Sequence, residues 1–265
     1  MKENVRQQNY CGTAMTIDTK EETRACAHCK ASFIINASDF VFYERMKVPP
    51  PTRCPECRLV RRMSWRNERT LYKRKCNVPG HTEDIISIFS PEKPFTVYDQ
   101  KHWWSDAWDP LAFGAEYDFS KPFFQQFREL LQRTPQIALF NSNAVRTEYA
   151  NHALDSKDSF LISASYKSEN VMYANRVLEV RDSSDLYLVG WLERSYEAVN
   201  CGTSYKLRWC YGCEDSQDML FSYDCRNCSQ CIGCVGLRNK QYHIFNKPHR
   251  RAEEKVSGIC RDVSP

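Results

Sequence analysis

The stretch CGTSYKLRWCYGCEDSQDMLFSYDCRNCSQCIGC, residues 201–234, spaces its cysteines at regular intervals. Cys201, Cys213 and Cys225 are each 12 residues apart, and Cys210 and Cys234 are 24 apart. An interval of about 12 residues is too short for a helical hairpin but suits one short strand and one turn. The spacing therefore predicts stacked strands, in which each layer buries its apolar side chains only against its neighbours.

The same interval recurs on both sides of that stretch. A polar residue followed by alternating apolar residues occurs in RTEYA, KDSFLI, ENVMYA, SDLYLV, YEAVN, QDMLF, SQCIG and KQYHIF. From the second fragment onward, successive polar positions are separated by 12, 15, 12, 21, 12 and 11 residues. These positions are Asp158, Asn170, Asp185, Glu197, Asp218, Gln230 and Gln241. We therefore expect a mainly β protein with a parallel β-helix, or solenoid, of about 12-residue strand–turn units over residues 140–246. Because glycine is scarce, Asn, Asp and Ser are expected at the corners.

The cysteine-rich end has three interpretations. If one coil holds two strand–turn units, about 24 residues, Cys201 lies under Cys225 and Cys210 under Cys234, and the thiols form small apolar columns. Residues three apart on a strand point to opposite faces, so cysteines at this spacing converge on an ion only if a turn bends them together. We favour the columns over a second zinc site or an iron–sulfur cluster. The candidate ligands of a second site are Cys210, Cys213, Cys225, Cys228, Cys231 and Cys234.

Both ends of a stack of strands need covers. Residues 120–134 predict an amphipathic helix, because Ser120 can cap it, Pro122 fits its first turn and Pro135 ends it. Its apolar stripe consists of Phe123, Phe127, Leu130 and Leu131. We expect this helix to cap the first coil, and the segment KPHRRAEEKV, which starts at residue 247, to close the other end.

Two C-x2-C pairs near the N-terminus predict a metal site. Cys26 and Cys29 form the first pair, and Cys54 and Cys57 form the second. A two-residue spacer lets a tight turn direct both thiolates at one ion, and two such turns complete the tetrahedral shell that Zn²⁺ prefers. Four thiolates leave no open position, so we expect a zinc ribbon whose Zn²⁺ is structural.

The residues after Cys57 predict a basic helix. Helical spacing places five cations on one face: Arg58, Arg62, Arg66, Arg69 and Lys73. Residues 53–75 hold nine basic and two acidic residues, a net charge of +7 in a chain whose total is +4. Such a face beside a zinc module can bind a phosphate backbone or an acidic protein. The alternatives are a solvated charged face and docking onto the acidic segment 101–119 of the same chain.

The segment between the zinc module and the capping helix carries two weaker signals. Cys76 and His81 offer a further pair of metal ligands, but two ligands do not complete a site. HWWSDAWDP, residues 102–110, holds three tryptophans. We expect these rings to fill a seam between modules, with a stacking surface for a ligand as the alternative.

Composition and organisation agree with a globular protein. With 265 residues, 42% of them apolar, the chain can bury a core. Because no secretory signal and no run of roughly 20 apolar residues is present, we expect a cytoplasmic protein, or a protein of the virion or host cytoplasm if it is viral, with reduced cysteines and no membrane contact. The oligomeric state is left open. The expected segments are a leader (1–22), a zinc-ribbon module with basic helix (23–78), an aromatic and acidic connector (79–119), a capping helix (120–134), the solenoid (140–246) and a charged tail (247–265).

Several stretches resemble one known family: CAHC, FYERMKVPPPTRCPECRLVRRMSWRNERTLYKRKC, SPEKPFTVYDQKHWWSDAWDP, DFSKPFFQQF and GLRNKQYHIFN. The family pairs a zinc ribbon with a repeat region and is found in small-genome uncultured bacteria and some large DNA viruses. The resemblance covers about residues 23–246, and it implies that the four N-terminal cysteines are zinc ligands. Some members carry a class III coenzyme A transferase label, which implies a doubly wound fold. The sequence lacks the glycine-rich turn of that fold and holds nine glycines in all.

No motif of a known catalytic site is present, whether G-x-S-x-G, a P-loop or H-E-x-x-H. We therefore expect a non-enzymatic zinc-binding adaptor that contacts nucleic acid or an acidic partner through the basic helix, with the solenoid as a platform. A structural or assembly protein is the first alternative. An enzyme with its site on the solenoid wall is the second.

Overall fold

The computed structural model describes residues 21–65, 67 and 69–249. The chain forms two compact units, one ending at residue 67 and the other starting at residue 68. Residues 1–20 of the predicted leader, residues 250–265 of the predicted tail and Arg66 of the predicted basic face lie outside the described residues. In the described ranges, no helix is both long enough and apolar enough to cross a membrane.

The described residues of the first unit form two strands and two helices: β1 (Glu22–Ala25), β2 (Ser32–Ile35), α1 (Ala37–Met46) and α2 (Pro55–Met63). β1 and β2 form an antiparallel hairpin. Phe33 and Ile35 alternate inward from β2 and pack with Cys26 and Cys54. The core of this unit is therefore built directly around the predicted zinc ligands.

The basic helix is shorter than predicted. α2 ends at Met63, and the Ser64 hydroxyl donates to the Arg61 carbonyl at 2.7 Å, which closes the last turn. Arg69 follows in a loop of the second unit, and Lys73 lies in a strand there. The prediction of one continuous cationic face was wrong, because the residues from 72 onward alternate between exposed and buried positions, a strand pattern that the helical spacing of the arginines concealed.

The second unit begins with short elements: β3 (Tyr72–Lys75), β4 (Asp84–Ser87), β5 (Val97–Tyr98), α3 (Gln100–Trp103), a 3-10 helix (Pro110–Phe113), α4 (Phe123–Arg133) and β6 (Gln136–Ile137). β3 and β4 form an antiparallel hairpin, whereas β5 and β6 pair in parallel. The indole N–H of Trp103 donates to the Pro135 carbonyl at 3.0 Å, and that of Trp108 donates to the Trp103 carbonyl at 2.8 Å. Both tryptophans thus fill a seam within this unit.

Residues 141–244 form a parallel β-solenoid of about nine coils. Its strands are β7 (Asn141–Ser142), β8 (Asn151–Leu154), β9 (Phe160–Tyr166), β10 (Glu169–Leu178), β11 (Arg181–Glu193), β12 (Tyr196–Val199), β13 (Gly202–Tyr211), β14 (Gln217–Leu220), β15 (Ser229–Ile232) and β16 (His243–Ile244). Each strand from β7 to β15 pairs in parallel with residues 12 positions further along, as Val171 does with Ser183. The mainly β solenoid of 12-residue units is confirmed. One coil consists of one such unit, not of two.

Each coil has four sides of three residues. A side contains an inward residue, a partly exposed residue and a residue in the left-handed conformation. At the non-glycine corners from Asn143 to Phe245 the backbone angle φ is 46° to 58°. Asn and Asp occupy corners as expected, for example Asp158, Asn170 and Asp218 with φ of 51°, 53° and 52°, but the expectation of serine there was wrong, because no serine in the described ranges has a positive φ. Asn and Asp suit these positions because their short polar side chains tolerate this conformation.

Inward serines bind backbone groups of the next coil. The Ser195 hydroxyl accepts the Leu207 N–H, 12 residues later, at 3.1 Å and donates to the Glu193 carbonyl at 3.2 Å. The same pair of bonds is made by Ser183, Ser204 and Ser216. A buried N–H without a partner costs about 1–3 kcal/mol, so these hydroxyls stabilise the stack.

Cysteines take the same inward positions. The Cys201 sulfur accepts the Cys213 N–H at 3.4 Å, as a serine oxygen would. Because a coil contains 12 residues, Cys213 lies between Cys201 and Cys225 in one column. The expected columns exist, but the expected 24-residue coil, in which Cys201 directly contacts Cys225, was wrong.

The stretch CRNCSQCIGC, residues 225–234, supplies the four sides of one coil. Its four cysteines are at most 2% exposed and all face inward. Asn227, Gln230 and Gly233 stand between them with φ of 50°, 52° and 60°. The expectation that residues three apart point to opposite faces was wrong here, because a left-handed corner separates each pair.

Residues 97–104 cover the first coil. The Gln100 side-chain amide donates to the Asn141 carbonyl at 2.6 Å and accepts the Asn141 N–H at 2.9 Å. The predicted helix exists as α4, but it begins at Phe123 with Pro122, not Ser120, as its N-cap, and Phe123 and Phe127 of the predicted stripe are 55% and 43% exposed. The side-chain bonds to the first coil described here therefore come from Gln100 on α3 rather than from the predicted capping helix. At the far end, β16 turns back antiparallel onto β17 (Lys247–Pro248).

Ser195→Ala should lower the free energy of unfolding by about 1–3 kcal/mol, because the buried Leu207 N–H loses its acceptor. Ser195→Cys should cost clearly less, since sulfur accepts an N–H at the equivalent position of Cys201. Denaturant unfolding measures both values, with Ser229→Ala at an outward position as the control. Equal stability of the Ala and Cys variants would contradict the role given to the inward polar atom.

Candidate metal centre and cationic helix

The first pair of ligands lies in the turn between β1 and β2. The Cys26 N–H donates to the Ala31 carbonyl at 2.8 Å, and the Lys30 N–H donates to the Cys26 carbonyl at 3.0 Å. Lys30 adopts the left-handed conformation, with φ of 66°, which closes the turn. This knuckle places the sulfurs of Cys26 and Cys29 on the same side.

The second pair lies at the start of a helix, not in a second turn as predicted. Cys54 is the N-cap of α2, Pro55 occupies its first position, and Cys57 follows in its first turn. The Cys57 N–H donates to the Cys54 sulfur at 3.5 Å, and the Cys54 N–H donates to the Cys26 sulfur at 3.3 Å. Amides and the positive end of a helix favour the thiolate form of cysteine.

The four sulfurs have the spacing of a tetrahedral zinc shell. All four lie within 4.8 Å of one another, and those of Cys29 and Cys54 are 3.7 Å apart. Zinc–sulfur bonds of about 2.3 Å place two sulfurs of a tetrahedron about 3.8 Å apart. The set therefore fits a structural Zn²⁺ with no open position.

The pKa values of the cluster agree with a cation at its centre. Burial opposes ionisation of Cys26, but N–H groups of Cys54, Cys29 and His28 overcome it and hold its pKa at about 5. Hydrogen bonds to the neighbouring sulfurs of Cys54 and Cys29 raise the pKa of Cys57 to about 12. Four adjacent thiolates are stable together only around a positive ion.

His28 adds an outer contact that the sequence analysis did not identify. Its Nδ1 lies 3.4 Å from the Cys57 sulfur. A protonated ring nitrogen at this distance donates to the thiolate and orients it. The sequence feature that could have predicted this contact is the position of His28 inside the first C-x2-C turn.

Comparison with known families agrees with this geometry. Residues 20–65 match a family described as a probable treble clef domain. The zinc site is that of a treble clef, in which a knuckle supplies two ligands and the start of a helix supplies the other two. A comparison with curated proteins finds none that matches the chain.

The structure separates the five predicted cationic residues. Arg62 is exposed on α2, whereas Arg58 is half-buried and its Nη1 donates to the Tyr43 hydroxyl at 3.4 Å. In the second unit, Arg69 donates to the Asn175 side chain at 2.5 Å, and Lys73 pairs with Asp84 at 3.0 Å. Arg66 lies outside the described residues. Arg61 is also exposed on α2, although it was not among the residues of the predicted cationic face.

The cysteines of the last coils act as hydrogen-bond donors. The Cys228 and Cys231 sulfurs each donate to a backbone carbonyl two residues earlier at 3.2 Å. Burial raises the pKa of the Cys231 thiol to about 12, which keeps its proton in place. Among the described residues, the two groups of Cys, His and acidic side chains close enough to share an ion both lie outside these coils.

Cys57→Ser should lower the zinc content by one ion per chain, because three thiolates and a hydroxyl hold Zn²⁺ far more weakly than four thiolates. Cys228→Ser is the matched control, since serine already occupies two positions of the same column, Ser204 and Ser216. Mass spectrometry of the metal measures both variants. A Cys57→Ser chain with wild-type zinc content would contradict the assignment.

Proposed function

We propose that the first unit binds nucleic acid through α2, as the contact element of a non-enzymatic adaptor whose solenoid is a rigid platform. The observation that carries this proposal is that none of the residues of α2 is buried. A helix in a small domain normally covers the core with its apolar face. Here Val60 is 67% exposed, and Trp65, just after the helix, is 74% exposed.

The positive charges of α2 are free to bind phosphate. Arg61 and Arg62 are exposed, and neither forms an ion pair with another residue in the described ranges. Glu56 is the single acidic residue of the helix. Arginines in this state bind a phosphate backbone with the release of counterions.

The solenoid wall is a weaker candidate for this contact because several of its cations form ion pairs with neighbouring acidic side chains. Side chains 12 residues apart meet across neighbouring coils, as Arg146 does with Asp158 at 2.5 Å and Lys157 with Glu169 at 2.8 Å. A paired cation has already lost much of its attraction for phosphate.

Trp65 favours nucleic acid over an acidic protein. An exposed indole beside two exposed arginines offers a stacking surface for an unpaired base, and such stacking is worth about 1–3 kcal/mol per base. An acidic protein uses the arginines but gains little from the ring. We therefore propose single-stranded nucleic acid as the ligand class.

The double variant Arg61→Glu/Arg62→Glu should weaken binding to a fluorescent single-stranded oligonucleotide at least tenfold at about 0.1 M salt, because two phosphate contacts become repulsive. The slope of log K against log salt should fall by roughly 1–2 units, at about 0.7 per lost phosphate contact. Fluorescence anisotropy measures both quantities. Arg128→Glu/Arg133→Glu on exposed positions of α4 changes the net charge equally and should have little effect.

Equal weakening by the two double variants would reject α2 as the contact surface. Salt-sensitive binding of poly-glutamate, together with no binding of the oligonucleotide, would identify an acidic protein as the partner instead.

Trp65→Ala should weaken binding of the same oligonucleotide about five- to a hundredfold while leaving the salt slope unchanged, because stacking involves no counterion. Trp104→Ala, at an exposed tryptophan of the second unit, is the control. A Trp65→Ala protein with wild-type affinity would remove the argument for unpaired bases.

A further inference from the structure

A second group of metal-ligand side chains lies in the second unit. Cys76 follows β3, His81 lies in the loop between β3 and β4, and Asp99 follows β5 as the N-cap of α3. The ligand atoms of these three residues all lie within 4.8 Å of one another. The sequence could not assemble the group, because Asp99 is 18 residues from His81 and belongs to another element.

We propose that Cys76, His81 and Asp99 bind a second zinc ion. The Asp99 Oδ2 lies 3.6 Å from the Cys76 sulfur and 3.2 Å from the His81 Nδ1. Zinc bonds of about 2.3 Å to sulfur and about 2.0 Å to nitrogen and oxygen give tetrahedral separations of about 3.5 Å and about 3.3 Å. The two distances therefore agree with one ion bound by all three residues.

The charges of the group match a divalent cation. Cys76 is 7% exposed, and its sulfur lies directly beside a carboxylate oxygen. A thiolate and a carboxylate in contact repel each other unless a positive charge lies between them. Zn²⁺ with one thiolate, one carboxylate and a neutral imidazole gives a site with no net charge.

The surrounding contacts hold the ligands in the binding orientation. The other Asp99 oxygen, Oδ1, accepts the His102 N–H at 2.9 Å, which leaves Oδ2 facing Cys76 and His81. The Asp99 N–H donates to the Cys76 sulfur at 3.4 Å. The His102 ring stands edge-on to the His81 ring, with centroids 5.5 Å apart. Such outer contacts are typical of metal ligands.

This site differs from the treble clef in composition and in consequence. Three protein ligands leave the fourth position of the tetrahedron to water, whereas four cysteines leave none. The ion would also tie the β3–β4 hairpin to the start of α3, where Gln100 bonds the first coil. It would thus fix the cover of the solenoid.

The test is the zinc content of the full chain, loaded with excess Zn²⁺ and then freed of unbound metal. The wild-type protein should hold two zinc ions per chain, and His81→Gln and Asp99→Asn should each hold one. His243→Gln in the solenoid is the matched control and should hold two. Cys57→Ser should also hold one zinc ion, because it loses the ion of the treble clef. Loss of the treble-clef ion and loss of the second ion are therefore caused by different variants.

X-ray absorption of the zinc-loaded wild-type protein supplies a second readout that needs no variant. Two sites of the proposed composition give a mean of about 2.5 sulfur ligands per zinc, whereas the treble clef alone gives about four. A single zinc with four sulfur ligands would overturn the proposal. So would a second zinc that survives both His81→Gln and Asp99→Asn.

Discussion

The solenoid depends on the hydrogen bond between an inward Ser or Cys side chain and a backbone N–H in the next coil. A chain that turns after every third residue cannot pair all its amides through regular strand ladders, and an unpaired buried amide costs about 1–3 kcal/mol. The Ser195 oxygen and the Cys201 sulfur each accept such an N–H from the residue 12 positions later. The interior is therefore lined with small polar side chains as well as aliphatic ones, and its cysteines belong to the architecture of the coil.

The sequence predicted the 12-residue interval because every column repeats at it, but it did not predict the sides of the coil. Strand reasoning assumes that neighbouring side chains alternate between two faces. A left-handed corner at every third residue replaces that alternation by a period of three. The corner residues include Leu161, Trp191 and Phe221, which are not turn-forming types, so composition concealed the period. The period of three did show in the sequence, in the separations of 15 and 21 between polar positions, both of which are multiples of three.

The treble-clef ligands and the proposed second group likewise differ in how far the sequence predicts them. The treble-clef ligands were predictable because a C-x2-C pair needs only local geometry to direct two thiolates at one ion. Cys76, His81 and Asp99 meet through the fold, so the sequence offered two of them and no reason to add the third. The length of the cationic face was overestimated, because the helical spacing of the basic residues continues in the sequence past Met63, where α2 ends. What remains on α2 is a shorter surface with two exposed arginines, Arg61 and Arg62.

Disulfide trapping tests the 12-residue coil most directly. Gln217 and Ser229 are paired neighbours in adjacent coils, whereas Gln217 and Gln241 lie two coils apart. Strands lie about 4.8 Å apart, and a disulfide needs Cα atoms within about 7 Å, so only adjacent coils can be linked. Under mild oxidation, Gln217→Cys/Ser229→Cys should form the crosslink and Gln217→Cys/Gln241→Cys should not. Crosslinking of the second pair without the first would contradict the coil on which the account rests.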